Sequence, residues 1–191
     1  ISNKSSGKQG VEIAKSLKRC GFDTTLITGP TNLDKIDDIN TVKVETADEM
    51  FKKTIENLPV DVAVFSAAVG DWKPNKYFQK KLKKDEIQNL DLQKNIDIIS
   101  YVSKHNSLRP RIIVGFAAET NDLINNSKKK LIEKNCDLII ANDISDKSIG
   151  FGSDYNEVTI LDKFEKIETI KKKDKKLVAD EIVKKLINLI N

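Results

Sequence analysis

The chain has 191 residues, of which 39% are hydrophobic and 32% are charged. That length is enough for one sizeable domain, and the ordered apolar runs exclude an intrinsically disordered chain. The 33 basic and 29 acidic residues give a net charge of +4, and no apolar run reaches the ~18 residues of a membrane helix, so neither a nucleic-acid partner nor a membrane partner is expected.

Helix signals alternate with strand signals along the chain. Apolar residues at helical spacing predict helices over 9–19, 46–58, 95–102, 121–135 and 175–190, of which the second begins with a capping box and the third is capped by Asn95. Apolar runs predict strands over 22–28, 41–45, 60–69, 111–117 and 137–141, followed by a hairpin of 158–161 and 166–170. We therefore expect one α/β domain over 1–191, with a Rossmann-like, mostly parallel sheet, helices on both faces and a small antiparallel hairpin near the C-terminus.

Folds of this kind bind ligands where the parallel strands end. That rule directs attention to four segments: 2–10, 67–74, 115–120 and 141–145. The irregular, charged stretch 71–93 follows one of these ends and is predicted to be a functional loop.

The first segment contains the turn Ser5, Ser6, Gly7 and Lys8, directly before a helix. Small residues and a cation at that place suit the binding of an anion by backbone N–H groups. The turn is not a Walker loop, because Gln9 follows the lysine where Ser or Thr is required. An ordinary flexible helix start is an equally good interpretation of the turn alone.

Small residues and a carboxylate close the strand that ends near Ala67 and Ala68. There Asp71 suits hydrogen bonds from a ribose or a base, although a carboxylate after a strand is often only a turn residue. Lysines at 80–84 and at 128–134 suit a polyphosphate, or form a solvated surface. Lys130 and Lys134 are four residues apart and therefore share a helix face.

The whole excess of positive over negative charge lies in the C-terminal segment 163–191, which contains nine lysines and five acidic residues. We interpret this segment as a solvated face with no part in the chemistry. Cys20 and Cys136 are expected to be buried, reduced thiols of a cytoplasmic protein. His105 is the single histidine, so neither a histidine-based metal site nor a catalytic triad is predicted.

Several motifs together resemble one known family. They are ISNKSSGKQG at 1–10, AAVGDWKP at 67–74, KLKK at 81–84, KNIDI at 94–98, GFAAET at 115–120, KNCDL at 134–138, AND at 141–143 and GFGSDYN at 150–156. In this order they resemble the synthetase domain of bacterial phosphopantothenoylcysteine synthetase, across essentially the whole chain. That family is usually fused behind a flavin-dependent phosphopantothenoylcysteine decarboxylase, and it is dimeric.

The resemblance implies a ligase of coenzyme A biosynthesis. CTP with Mg²⁺ would activate the carboxylate of 4′-phosphopantothenate as an acyl-cytidylate, and the amine of L-cysteine would then displace CMP. FMN would belong to the fused decarboxylase and not to this chain. The ligands of the metal are not indicated.

The resemblance also assigns roles to residues. Asn3 and Lys81 would be catalytic, the first by aligning the intermediate and the second by stabilising phosphoryl charge. Asn3, Ala67 and Ala68 would contact the substrate. The nucleotide would be bound by Ser5, Ser6, Gly7, Lys8, Ala67, Ala68, Asp71, Lys81, Ile96, Asp97, Ile98, Ile99, Phe116, Lys130 and Lys134.

The chain departs from that family in three places. Ile96 stands where the family has proline, and Gly70 stands where alanine or serine is common. The first strand and Gly-Gly-Thr turn of the family are not seen before Ile1. Two other functions stay open: a nicotinamide-dependent reductase that uses Tyr77 and Lys81, and a non-catalytic nucleotide-binding module.

Overall fold

The computed structural model describes residues 5–31, 36–76, 89–145 and 153–190. The helices in these ranges are α1 (Lys8–Arg19), α2 (Ala47–Glu56), α3 (Ile98–Ser103), α4 (Leu123–Glu133) and α5 (Lys175–Ile190). The strands are β1 (Thr25–Thr28), β2 (Asn40–Lys43), β3 (Val62–Phe65), β4 (Trp72–Pro74), β5 (Leu92–Lys94), β6 (Ile112–Glu119), β7 (Leu138–Asp143), β8 (Tyr155–Asp162) and β9 (Ile167–Asp174).

A five-stranded mixed sheet in the order β3-β6-β7-β8-β9 forms the centre of the molecule. Strands β3, β6 and β7 are parallel, and the antiparallel hairpin β8–β9 continues the sheet from β7. The predicted α/β fold with a C-terminal hairpin is thereby confirmed. Two smaller pairs accompany the sheet, a parallel pair β1–β2 and an antiparallel pair β4–β5.

Helices cover both faces of the main sheet, as predicted. On one face α1 and α5 pack on Val114, Ile140 and Ile160, which are almost completely buried. On the other face α2, α3 and α4 pack on Ile113 and Ile139, since alternate residues of a strand point to opposite faces. The helices thus cover the two faces of the sheet, and the ends of its strands lie outside these two apolar layers.

The predicted capping box is present at the start of α2. The Thr46 side chain accepts a hydrogen bond from the Glu49 amide at 3.1 Å, and the Glu49 carboxylate accepts one from the Glu45 amide at 2.8 Å. The expected cap of α3 is corrected, because Asp97 and not Asn95 accepts from the Ser100 amide, at 3.0 Å.

The expectation of two buried thiols is half correct. Cys136 is buried, whereas Cys20, at the end of α1, is exposed. In the part of the chain that the structure describes, no helix has the length and apolar character needed to cross a membrane.

Candidate functional site

The first turn of α1 has the geometry expected for an anion site. Gly7 occupies the N-cap with φ 72°, a left-handed conformation that glycine adopts without strain, and no side chain caps the helix there. Acidic residues are absent from the first turn as described, so the positive end of the helix dipole is not neutralised by its own sequence. The Lys8 amide donates a long hydrogen bond to Ser6 Oγ at 3.4 Å. The other N–H groups at this helix N-terminus suit the binding of an anion.

This turn lies directly against the end of β3. A Cβ atom added to Gly10 would stand 2.5 Å from the Ser66 Oγ atom, closer than non-bonded atoms approach. The absence of a side chain at Gly10 therefore lets the helix reach the strand end. Two of the four predicted segments, the turn at 5–10 and the residues after β3, are thus neighbours.

A network that the sequence did not indicate surrounds the same turn. The Lys8 Nζ atom donates to Asp154 at 2.6 Å. The Gln9 amide nitrogen donates to the Lys175 carbonyl at 3.1 Å, and the Asn156 amide nitrogen donates to Gln9 Oε1 at 3.2 Å. Asp154 and Asn156 belong to the motif at 150–156, and Lys175 belongs to the C-terminal segment, for which the sequence predicts no part in the chemistry.

The segment after β3 forms an open surface. Ala67, Ala68 and Asp71 are exposed, as a ligand contact requires. Their backbone is held by Asn95, whose side-chain nitrogen donates to the Gly70 carbonyl at 2.7 Å and whose amide donates to the Asp71 carbonyl at 2.8 Å. Asn95 thus orders this turn, which explains its position better than the helix cap expected from sequence.

The two predicted helix lysines are both engaged in ion pairs. Lys130 pairs with Glu119 at 2.6 Å, and Lys134 pairs with Asp97. Burial acts to raise the pKa of Asp97, but the hydrogen bonds from Lys134 and Ser100 outweigh it and lower this pKa. Any ligand that uses these lysines has to compete with the carboxylates.

Three of the predicted nucleotide contacts place their side chains in or against the core. Ile98 is 7% exposed, Ile99 packs against the same core, and Phe116 packs on the opposite face of the sheet. Ile96 is 45% exposed and faces solvent. Ile98 and Ile99 lie in the first turn of α3, which packs on the sheet, whereas Ile96 precedes this helix. The role of these residues as nucleotide contacts stays a prediction, and the exposure of Ile96 fits it best.

Asn3 and Lys81, the two predicted catalytic residues, lie outside the described residues, as does Tyr77. Within the described ranges, no group of three or more His, Cys, Asp or Glu side chains is placed to hold a metal ion.

Comparison with known proteins identifies one family over nearly the whole chain. The family described as the DNA/pantothenate metabolism flavoprotein C-terminal domain matches residues 1–190. The coenzyme A biosynthesis bifunctional protein CoaBC of Borreliella burgdorferi is 40% identical over 188 residues, which cover 96% of this chain and 47% of that protein. A cysteine/cysteine sulfinic acid decarboxylase from an unknown prokaryotic organism is 36% identical over 194 residues, covering 100% of this chain and 54% of that protein. The chain spans about half the length of these curated relatives.

Solved structures share the fold. The crystal structure of the C-terminal domain of CoaBC has a TM-score of 0.79 and 31% identity, and the match covers 97% of this chain and 84% of that one. A mutant of Cab2 in complex with phosphopantothenate-cysteine has a TM-score of 0.72 at 16% identity, covering 100% of this chain and 79% of that one, which is a likeness of fold alone.

These findings contradict the resemblance to a synthetase. The matched family is described as a flavoprotein, and the relatives are named as a bifunctional protein and a decarboxylase, without mention of a ligase, a synthetase or CTP. The expected acid–amino-acid ligase reaction and the expected use of CTP with Mg²⁺ are therefore corrected. The expected ligase substrates, 4′-phosphopantothenate and L-cysteine, are therefore not supported. The relative from Borreliella burgdorferi is named as a bifunctional protein of coenzyme A biosynthesis, which agrees with the expected fusion.

The expectation for FMN is also contradicted, because the flavoprotein description belongs to the domain that this chain matches. A flavin mononucleotide has a phosphate end and a flat three-ring system that requires an apolar slot. The first turn of α1 suits the phosphate. At the strand ends, however, Ala67, Ala68 and Trp72 are exposed and form no such slot for the ring.

Two cavities of the described part lie away from these strand ends. One, of about 360 Å³, lies between β9 and α5. The other, of about 420 Å³, lies beside Arg109 at the start of β6 and β7, the opposite end of the parallel strands. The first turn of α1 thus suits a phosphate group, whereas the exposed residues after β3 do not enclose a flavin ring, which disagrees with the flavoprotein description of the family.

Proposed function

Because this chain belongs to the family of the DNA/pantothenate metabolism flavoprotein C-terminal domain, we propose that it is the C-terminal domain of a bifunctional coenzyme A biosynthesis protein. Its role in that protein is to bind the phosphate end of a phosphorylated pantothenate derivative at the first turn of α1. The ligand is held there for the decarboxylase reaction of the pathway.

One observation carries this proposal. The first turn of α1 is left uncapped at Gly7, is packed onto the strand end through Gly10, and has the Lys8 ammonium group beside it. Backbone N–H groups, a helix N-terminus and a cation are the three features that proteins combine to bind phosphate. The geometry therefore favours a phosphorylated ligand over an uncharged one.

The pantothenate part of the proposal is supported by the names of similar proteins. The matched family is described by pantothenate metabolism, and the structurally similar Cab2 mutant was solved with phosphopantothenate-cysteine. That conjugate carries one carboxyl group, on its cysteine part, and this is the group that a decarboxylase would remove. We therefore propose phosphopantothenoylcysteine as the ligand.

A titration calorimetry experiment on the full-length protein tests the proposal. Phosphopantothenoylcysteine should bind, and pantothenoylcysteine, which lacks the phosphate, should bind much more weakly. Lys8→Ala should lower the affinity for the phosphorylated ligand roughly tenfold, since one charge-assisted hydrogen bond contributes on the order of 1.5 kcal/mol.

Lys15→Ala is the matched control. Lys15 lies on the same helix, its side chain is 40% exposed like that of Lys8, and it also forms an ion pair, with Glu12 at 2.9 Å. It should leave the affinity unchanged. Equal binding of the two ligands, or equal loss in the two variants, would refute the proposed phosphate site.

The link to decarboxylation needs its own measurement. Release of CO₂ from carboxyl-labelled phosphopantothenoylcysteine should be slower in full-length Lys8→Ala at low ligand concentration than in the Lys15→Ala control. If Lys8→Ala lowers the affinity but not the rate of CO₂ release at low ligand concentration, the phosphate site is supported and its role in the decarboxylase reaction is refuted.

Three coarser expectations belong to the same proposal. We place the protein in the cytoplasm, supported by Cys20 and Cys136, which form no disulfide. That residues 1–191 form a single domain remains a prediction, which limited proteolysis of the full-length protein tests. That the protein is a homodimer also remains a prediction, which light scattering tests.

A further inference from the structure

A group of cations lies at the opposite end of the parallel strands from the first turn of α1. The cavity of about 420 Å³ beside Arg109 (the Arg109 cavity) is lined by three cations, Arg109, Arg111 and Lys163, and by one carboxylate, Asp137. Two of the three arginines in the chain therefore line one cavity. Because a single carboxylate accompanies the three cations, the lining has an excess of two positive charges.

The Asp137 carboxylate holds two of these cations in place. It accepts from the Arg109 guanidinium at 3.0 Å and from the Lys163 ammonium group at 2.8 Å. Arg109 also donates to the carbonyls of Ser103, at 3.0 Å, and Pro110, at 2.8 Å. A cation that is already fixed in this way loses little further side-chain entropy when it binds an anion.

Arg111 differs from the other two cations. It is exposed directly before β6, and its guanidinium forms neither a hydrogen bond nor an ion pair with the residues that the structure describes. A guanidinium presents five N–H donors in a planar fork that matches the oxygen atoms of a carboxylate or a phosphate. Arg111 thus brings to the cavity a set of donors that the described part of the chain leaves unused.

One wall of the Arg109 cavity is apolar. Leu131 and Ile132 line it from α4. Leu131 is buried, whereas Ile132 is 78% exposed, although removal of a large aliphatic side chain from water is favourable. Phe164, which follows the cavity residue Lys163, is 76% exposed. A ligand with an apolar chain next to its anionic group would cover part of this surface.

We propose that the Arg109 cavity binds a phosphate monoester that carries an apolar chain, at a site separate from the first turn of α1. The phosphate binds to Arg109, Arg111 and Lys163, and the chain lies on Leu131 and Ile132. The charge excess favours a dianion over a monoanion, because the attraction rises with the charge of the ligand. The volume of about 420 Å³ suits a small molecule, since such sites start at about 300 Å³.

Labelling of arginine with phenylglyoxal tests the proposal on the full-length wild-type protein. At about pH 8 a phosphate monoester is a dianion, since its second pKa is about 6. Hexyl phosphate should slow the modification of Arg111, read by mass spectrometry, roughly threefold or more. Arg19 is the internal control, because its side chain is 45% exposed and pairs with Asp180, away from this cavity. Its modification should not change.

Arg111→Gln tests the contribution of the charge. The variant is made in the Lys8→Ala background, so that the first turn of α1 contributes little to the binding of phosphate. Because its guanidinium has no bond to the described residues, Arg111→Gln should leave the melting temperature unchanged. It should weaken the binding of hexyl phosphate, measured by calorimetry, about tenfold. Arg19→Gln changes the net charge equally and should leave this affinity unchanged.

Ile132→Ser, in the same background, tests the apolar wall. Hexyl phosphate should bind more tightly than methyl phosphate, and Ile132→Ser should reduce this difference roughly twofold or more without affecting methyl phosphate. Hexanoate, a monoanion with a chain of similar length, should protect Arg111 less than hexyl phosphate does. Equal protection by hexanoate would refute the preference for a phosphate.

Several results would overturn the inference. They are a failure of hexyl phosphate to protect Arg111, equal protection of Arg19, and an unchanged affinity in Arg111→Gln. Arg111 that is unreactive even without ligand would also overturn it, because another part of the full-length protein would then cover the cavity.

The proposed function is tested independently of this inference. Arg111→Gln alone should bind phosphopantothenoylcysteine as the wild type does, and Lys8→Ala alone should leave the protection of Arg111 by hexyl phosphate unchanged. A loss of phosphopantothenoylcysteine binding in Arg111→Gln would refute the separation of the two sites.

Discussion

Replacement of Asp137 by asparagine tests how the start of β7 is held. The Asp137 carboxylate has a side chain only 9% exposed and accepts three hydrogen bonds. The donors are the Ile113 amide at 2.9 Å, the Arg109 guanidinium at 3.0 Å and the Lys163 ammonium at 2.8 Å. It thereby joins β6, the segment before β6 and the turn after β8 at one buried point.

The expected cost follows from these contacts. Asparagine keeps one oxygen for the Ile113 amide but loses the charge. The bond to the half-buried Arg109 contributes about 1.5–3 kcal/mol, and the pair with the 54% exposed Lys163 contributes less than about 1 kcal/mol after solvent screening. We therefore expect Asp137→Asn to lower the free energy of unfolding by about 2–4 kcal/mol. For a chain of this size that corresponds to a melting temperature lower by roughly 5–15 °C.

The pH dependence of the effect has a defined sign. Burial alone would raise the pKa of Asp137, but the hydrogen bonds from Lys163, Ile113 and Arg109 lower it below its ordinary value. A lowered pKa stabilises the fold above the pKa of the unfolded chain, and this contribution is lost as the pH falls through the folded pKa. The difference between wild type and Asp137→Asn, measured by calorimetry, should be full above about pH 5 and shrink below about pH 4.

Glu168→Gln is the control. Glu168 also has two lysine partners, Lys166 and Lys185, which are the main reason that its pKa is lowered to about 2. Its side chain is 42% exposed, so solvent screens both pairs and the loss should stay below about 1 kcal/mol. Equal losses in Asp137→Asn and Glu168→Gln, or a loss for Asp137→Asn that does not change with pH, would refute the reasoning.

Three further predictions concern local contacts. Gly10→Ala should lower the free energy of unfolding by about 1–2 kcal/mol and weaken phosphate binding, because the added Cβ atom would collide with Ser66 Oγ. Adding Ser66→Ala should restore both, since the nearest remaining atom, Ser66 Cβ, would be 3.7 Å from the added Cβ atom. A double variant that does not recover would contradict this reasoning. Ellman's reagent should label the exposed Cys20 rapidly and the buried Cys136 only after unfolding. Burial, and to a lesser extent the charge of the neighbouring Asp137 carboxylate, raises the pKa of Cys136 to about 12. Rapid labelling of both thiols in the folded protein would contradict this prediction. Thr46→Ala should cost about 1 kcal/mol in urea unfolding through loss of the α2 cap, and no measurable cost would show that the cap is dispensable.

Local sequence signals predicted the helices and the strands of the main sheet well, but not β4 and β5, which lie at the two ends of the stretch 71–93 that was predicted to be irregular. The capping box at Thr46 and the apolar runs at 111–117 and 137–141 each specify one element through bonds or burial that adjacent residues provide. The errors occur where a distant residue decides. Asn95 resembles a cap in sequence, but its side chain bonds to the carbonyl of Gly70, a residue 25 positions away.

The site shows the same division. The turn at Ser5–Lys8 could be found from its small residues and its cation, because a helix N-terminus needs only local chain geometry. Lys175 could not be found, since nothing in a lysine-rich segment distinguishes the one lysine that folding buries from those that it exposes. Ile98 and Ile99 are predicted nucleotide contacts, and the sequence did not indicate that packing of α3 on the sheet places both side chains in or against the core.

The function was misassigned for a related reason. Both the expected pathway, coenzyme A biosynthesis, and the expected ligase reaction depended on the resemblance of all the motifs together. The name of the CoaBC relative agrees with the pathway, whereas the ligase reaction is contradicted by the comparisons.

The sequence by itself determined the α/β class, the strands of the main sheet and the turn before α1, because periodicity, capping and turn chemistry act over a few residues. Only the tertiary structure decided which distant groups meet that turn. Packing of α5 against α1 brings the Lys175 carbonyl to the Gln9 side chain, and the hairpin brings Asp154 to Lys8 and Asn156 to Gln9. Lys8 and Asp154 are 146 positions apart and become neighbours only when the apolar faces of these elements are buried together.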